Sequence, residues 1–172
     1  MMRLIFLLFF SLLFSGLQAQ GPKRELRGVW VATVQNIDWP SPRNYDGAKQ
    51  KTEFIDLLNS HQKTGINALF VQIRTASDAL YAKSAEPWTT YLSGKQGQAP
   101  SPYYDPLEFM IDQTHARGME FHAWLNLNRA SMSSRSLLSS EHVARKHPEW
   151  LLTYNGQLLF DFGIPAARHY IA

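Results

Sequence analysis

The chain has 172 residues, no cysteine, and a formal net charge of +3 from 17 basic and 14 acidic side chains. Its Lys and Arg residues are scattered rather than striped, which argues against a nucleic-acid surface, and without thiols it can form neither disulfides nor thiolate metal sites. A composition 45% hydrophobic and 13% aromatic suits one domain stabilised by burial alone.

The first residues read as an export signal. Arg3 opens a short basic start, and the apolar run Leu4–Phe14 is shorter than the roughly 20 residues needed to span a bilayer. Ser15-Gly16-Leu17-Gln18-Ala19 then supplies small residues at a cleavage position. Residues 1–19 are therefore expected to be a signal peptide, and 20–172 the mature chain, secreted or periplasmic with no membrane attachment.

Three segments read as strands, each rich in β-formers and bounded by turn residues: 28–34, 68–74 and 119–126. Between the first two, 51–64 places Phe54, Ile55, Leu57 and Leu58 on one helical face before Gly65. Asp105-Pro106-Leu107-Glu108 gives an N-cap, a proline at the first helical position and an acid in the first turn, opening a helix that Gly118 ends. Alternating strand and helix predicts βαβ units and a parallel sheet. Further along, a helix is expected near 141–146, a type I′ hairpin at Asn155-Gly156, and a helix from Pro165 onward. The chain stops inside that last helix, which reads as the N-terminal part of a longer domain. The expected fold class is α/β: a partial (β/α)8 TIM-type barrel, about its first three βα units.

Strand parity points to a site. In a barrel, alternate residues face the interior and the helical layer. On the third strand Met119, Phe121, Ala123 and Leu125 suit the helices, leaving Glu120, His122, Trp124 and Asn126 inward; on the second, Ala68, Phe70, Gln72 and Arg74 face inward. Gln72, His122 and Glu120 are expected to satisfy one another. Arg74 and Asn126 end their strands at the carboxyl rim, where barrel enzymes build their sites; the competing reading pairs Arg74 with Asp78. The connection 75–104 is far longer than the usual ~4–6 residues and carries Tyr81, Trp88, Tyr91, Tyr103 and Tyr104. Rings beside carboxylates, amides and guanidinium groups suit a sugar, whose C–H faces stack while its hydroxyls take polar partners. The substrate-binding candidates are Asp38, Trp39, Arg74, Asp78, Trp88, His122, Asn126, Arg129 and Asp161. No phosphate loop, His-Glu-x-x-His pattern or Gly-x-Ser-x-Gly elbow occurs, so neither metal nor cofactor is expected.

These residues also carry a resemblance. Arg27-Gly28-Val29-Trp30-Val31, Asn36-Ile37-Asp38-Trp39-Pro40-Ser41, Phe70-Val71-Gln72-Ile73-Arg74, Ser77-Asp78-Ala79-Leu80-Tyr81, Tyr104-Asp105-Pro106-Leu107-Glu108-Phe109, 117–126 and His147-Pro148-Glu149-Trp150 resemble the glycosyl-hydrolase-like 10 family across residues 25–172. The resemblance implies a TIM-type barrel that hydrolyses glycosidic bonds, with bacterial cell-wall or other polysaccharide as substrate. It also implies that more than half of a barrel of roughly 250 residues lies outside this chain. Arg74-Thr75 stands where Arg-Pro is expected, Asn126-Leu127-Asn128-Arg129 where Asn-Pro-Tyr-Arg is, and Asp161-Phe162-Gly163 where Asp-Pro-Gly is.

Glycoside hydrolysis ordinarily uses two carboxyl groups flanking the bond. Asp38, Asp78 and Asp161 are the acids expected at the rim, and the catalytic pair is expected on later strands beyond Ala172, leaving this stretch inactive by itself. The alternative is a noncatalytic glycan-binding protein on the same scaffold.

Overall fold

The computed structural model describes residues 25–172; the signal-peptide reading of 1–19 lies outside them. Its centre is a parallel sheet of three strands, β1 (Gly28–Val31), β2 (Ala68–Arg74) and β3 (Glu120–Leu125), in that order. Trp30, Phe70 and His122 lie level across it, and a bulge between Gln72 and Arg74 shifts the β2–β3 register at the carboxyl end.

β1 is shorter than expected. The predicted strand ran to Val34, but a 3-10 turn over Val34–Asn36, with Gln35 and Asn36 at positive φ, takes the chain out of the sheet. Gln72 explains the turn: its Oε1 accepts the Thr33 and Val34 N–H groups, diverting backbone donors that a longer strand would pair.

Helix α1 (Gly47–Lys63) starts earlier than the predicted Lys51, because Asp46 caps the Ala48 and Lys49 amides. Its buried stripe is Gly47, Gln50, Phe54 and Leu58. A single turn, α2 (Thr90–Ser93), interrupts the long connection after β2. Helix α3 (Pro106–His115) begins as predicted, with Asp105 accepting from Leu107 and Glu108. Both long helices pack against one face of the sheet, where Val31, Phe54, Leu58, Leu69, Val71, Ile73, Met110 and Met119 form the main core. The opposite face is lined by rings: Trp30 stacks on Phe70 at 4.9 Å, Phe70 on His122 at 4.5 Å, and Trp124 meets Trp30 edge-on.

After β3 the chain makes an excursion built as a second, antiparallel sheet, β4 (Arg129–Ser131), β6 (Gln157–Phe160) and β5 (Leu151–Tyr154) in spatial order. Asn155 and Gly156, both at positive φ, join β5 to β6 as the predicted I′ turn requires. Helices α4 (Val143–Lys146) and α5 (Pro165–Ile171) cover it, burying Ala130, Val143, Phe160 and Ala167 as a small second core.

Candidate functional site

The carboxyl ends of β1–β3 and the segments leaving them form one polar cluster. Arg74, the last residue of β2, is 5% exposed. Its Nε and Nη2 donate to the two carboxylate oxygens of Glu86 at 2.7 and 2.5 Å, its Nη1 to the Asn126 carbonyl, and its Nη2 also to the Ser77 hydroxyl at 3.1 Å. Burial works against the guanidinium charge, but the hydrogen bonds and charge of Glu86 more than offset this and hold Arg74 above its ordinary pKa. Tyr170 of α5 donates to the same carboxylate at 2.8 Å; burial, reinforced by Glu86, pushes its phenol well up. The ion-pair partner of Arg74 is Glu86, not the Asp78 of the competing reading. Neither Glu86 nor Tyr170 was visible as a site residue, since nothing in the sequence marks residues twelve and ninety-six positions away as neighbours.

Asp78 serves the turn that follows. Its Oδ1 accepts the Thr75 hydroxyl at 2.5 Å and the Ala76 amide at 3.1 Å, with Ser77 at positive φ between them. Thr75, standing where the resemblance leads one to expect proline, thus supplies a donor proline lacks. The Ala76 carbonyl accepts from Nε2 of His142 at 3.0 Å, and Nδ1 of His142 accepts the Ala144 amide at 3.1 Å, capping α4. His142 is fully buried, and burial depresses its pKa. It was not among the candidates; a lone His before a short helix gives no sequence signal.

Beside this turn lies a cleft of about 670 Å³. One wall comes from the connection after β2 (Asp78, Thr90, Tyr91, Lys95), the other from the excursion (Met132, Arg145). Gln96 joins the walls by accepting the Ser139 amide at 2.9 Å. Tyr91 feels both Asp78 and Arg129: burial and then the Asp78 charge raise its pKa, while the Gln35 amide and Arg129 oppose them. Asp78 and Arg129, two predicted site residues, are therefore brought to the same tyrosine.

The other candidates separate. Trp39 is corrected: it is 1% exposed, packs edge-on against Phe54 and donates its indole N–H to the Gln50 carbonyl, so it is a core residue with no face left for a sugar. Trp88 is partly buried and packs on the main core. Asp38 is exposed and accepts the Ala32 amide at 2.7 Å, closing the turn after β1. His122 contacts Glu120 at 3.0 Å as expected, but Gln72 joins neither: its Oε1 is taken by Thr33 and Val34, and its Nε2 is buried without a partner. Asn126 accepts the Trp124 indole N–H at 2.9 Å and donates to the Thr75 carbonyl at 3.1 Å, tying β3 to the same turn. Asp161 accepts the Gly163 amide at 2.8 Å ahead of α5.

The family model for glycosyl hydrolase-like 10 matches residues 25–172, every position of this cluster included. The chain belongs to the glycosyl hydrolase-like 10 family. Among its relatives, glycosyl hydrolase YngK of Bacillus subtilis is 51% identical over 150 residues, covering 86% of this chain and 29% of that protein. Glycosyl hydrolase DigH of Escherichia coli K12 is 34% identical over 169 residues, covering 88% and 38% respectively. The chain thus spans about a third of the length of these family members. Solved structures similar to it include the α-galactosidase from Lactobacillus brevis, with TM-score 0.47 and 16% identity over 86% of this chain and 18% of that one. Another is the noncanonic maltogenic α-amylase AmyB from Thermotoga neapolitana, with TM-score 0.44 and 15% identity over 72% and 30%.

Proposed function

We propose that this chain forms the first βα units of a (β/α)8-barrel glycoside hydrolase, exported through residues 1–19 and acting on a polysaccharide such as bacterial cell-wall glycan. The observation that carries the reading is the position of the cleft. It opens at the carboxyl end of the parallel sheet, the end at which barrel enzymes bind substrate, in a chain whose family members carry hydrolase names. Asp78, Tyr91, Lys95 and Arg145 line it with the mixture of ring, carboxylate and cation that sugars require. Asp38, Asp78 and Asp161 each use a carboxylate oxygen to order the backbone of their own turn. That supports a binding or orienting role for them, with the catalytic carboxyl pair supplied by parts of the whole protein outside this chain. The same loop-ordering duty is what favours the alternative, a noncatalytic glycan binder.

The test is to incubate the whole protein with purified cell-wall sacculi and with neutral polysaccharides, assaying release of new reducing ends. Release from one glycan, abolished by replacing a carboxyl pair outside this chain, is the expected result. Retention of the glycan on the protein with no cleavage would establish the binding module instead. Neither binding nor cleavage of any glycan would overturn both readings.

A further inference from the structure

The charged side chains in and behind the cleft balance in its depth but not at its mouth. Arg74 is held by both carboxylate oxygens of Glu86. Asp78 and Arg129 act with opposite sign on the Tyr91 phenol. Asp78 engages the Thr75 hydroxyl and the Ala76 amide through Oδ1 and is only 3% exposed, so its charge is turned inward. Two cations are left over among the residues that line the cleft: Lys95 from the connection after β2 and Arg145 from α4. Both are exposed, and among the described residues neither forms an ion pair with an acid. Glu141, the acid that precedes α4, is taken by Lys146 at 2.6 Å.

Both cations stand on fixed backbone. The Lys95 carbonyl accepts the Ser93 hydroxyl at 2.8 Å and the Gln98 amide at 3.2 Å. Arg145 donates its amide to the His142 carbonyl at 2.8 Å, and the His142 ring reaches the Ala76 carbonyl on the opposite wall. Gln96, next to Lys95, bonds Ser139 across the cleft. The two cations thus come from opposite walls that are tied together, and each has its hydrogen-bond donors free among the described residues. A neutral sugar lying over them would strip water from two charges and return no countercharge. A carboxylate returns charge-assisted hydrogen bonds: the Arg145 fork matches its two oxygens, and Lys95 adds a point charge. We propose that Lys95 and Arg145 are the specificity-determining residues of the cleft and read a carboxylate on the saccharide, so that the site takes an acidic glycan in preference to a neutral one of the same backbone. This deepens the glycan reading above and rests on it.

The experiment uses the whole protein, labelled with 15N, and three probes: β-1,4-linked tetraglucuronate, its methyl ester, and sodium sulfate. The ester keeps the sugar chain and removes its charge; sulfate keeps a charge and removes the sugar. Tetraglucuronate should bind about tenfold more tightly than the ester at low salt, the scale of one charge-assisted hydrogen bond. It should shift the Lys95, Gln96 and Arg145 amides. Raising the ionic strength to about 0.15 M, where screening acts over roughly 8 Å, should narrow that gap. Lys95→Gln and Arg145→Gln should each lower affinity for the acid more than for the ester, and the double variant should bring the two together. Arg145→Lys keeps the charge without the fork and should retain part of the preference. Equal affinity for acid and ester, with the cleft amides moving in both, would overturn the proposal while leaving the glycan reading standing. A preference for the acid that survives the double variant would also overturn it, because the carboxylate would then be read elsewhere. Shifts produced by sulfate as readily as by tetraglucuronate, with none from the ester, would leave a bare anion site and bring down the glycan reading with the proposal.

Discussion

Arg74 and Glu86 form a two-pronged ion pair whose side chains are only 6% and 9% exposed, and through it the end of β2 is joined to the middle of the loop that follows. A buried pair of this kind is worth little net energy against an apolar replacement, yet breaking it leaves a lone charge in a dry setting.

Arg74→Ala or Glu86→Ala should therefore cost about 3 kcal/mol or more in denaturant unfolding. The double replacement Arg74→Met with Glu86→Leu should cost less than the sum of the single ones. Additive losses would mean that water reaches the pair.

Tyr104 and Tyr170 give a prediction at high pH. Burial, then a neighbouring acid (Glu53 for Tyr104, Glu86 for Tyr170), raises both phenols. Both stay protonated in the folded state while the unfolded chain ionises near pH ~10. Stability from these groups is thus complete below pH ~10 and lost as pH climbs above it. Alkaline absorbance titration should show Tyr91, Tyr104 and Tyr170 ionising late, and Tyr170→Phe should remove one of them.

Two glycines in opposite situations should respond differently to alanine. A Cβ at Gly47 would sit 2.5 Å from the Pro102 carbonyl oxygen and 3.1 Å from the Tyr104 ring, whereas one at Gly118 meets nothing within 4 Å. Gly118, at φ +67°, carries only backbone strain, so Gly118→Ala should cost about 1–2 kcal/mol. Gly47→Ala should cost more, because backbone must move; thermal melts of the two variants decide it.

Asn126 connects β3 to the turn after β2 through its side chain. On the proposed hydrolase reading, Asn126→Ala should lower kcat/KM of the whole protein about tenfold, ~1.4 kcal/mol, with a loss of stability of ~1–3 kcal/mol from the orphaned Trp124 N–H and Thr75 carbonyl. Full activity at full stability would remove Asn126 from any site.

What could be read from the sequence follows the range of the physics. Asp105-Pro106 announced α3, and Asn155-Gly156 the hairpin, because caps and tight turns are decided within four residues. Parity placed Phe70 and His122 on one face because a strand's period is 2, until the bulge between Gln72 and Arg74 interrupts it. It could not tell that Gln72 would bend the chain after β1, since that depends on which two amides lie opposite its oxygen. Trp39 was misplaced for a related reason: beside Asp38 and Asn36 it looks like a rim ring, and only the position of the Gln50 carbonyl makes it a core residue. Glu86, Tyr170 and His142 act across long separations, where neither periodicity nor local turn chemistry carries information.

The ring-bearing face of the sheet gives the chain its own optical gauge. Trp30 is 60% exposed there, while Trp39 on the other side is sealed. Of the five tryptophans, iodide should quench Trp30 first and Trp39 last, so the emission shifts to the blue as quenching proceeds. Anything that settles over Trp30, Phe70 and His122 would then register as protection of one emitter against an unchanging internal standard.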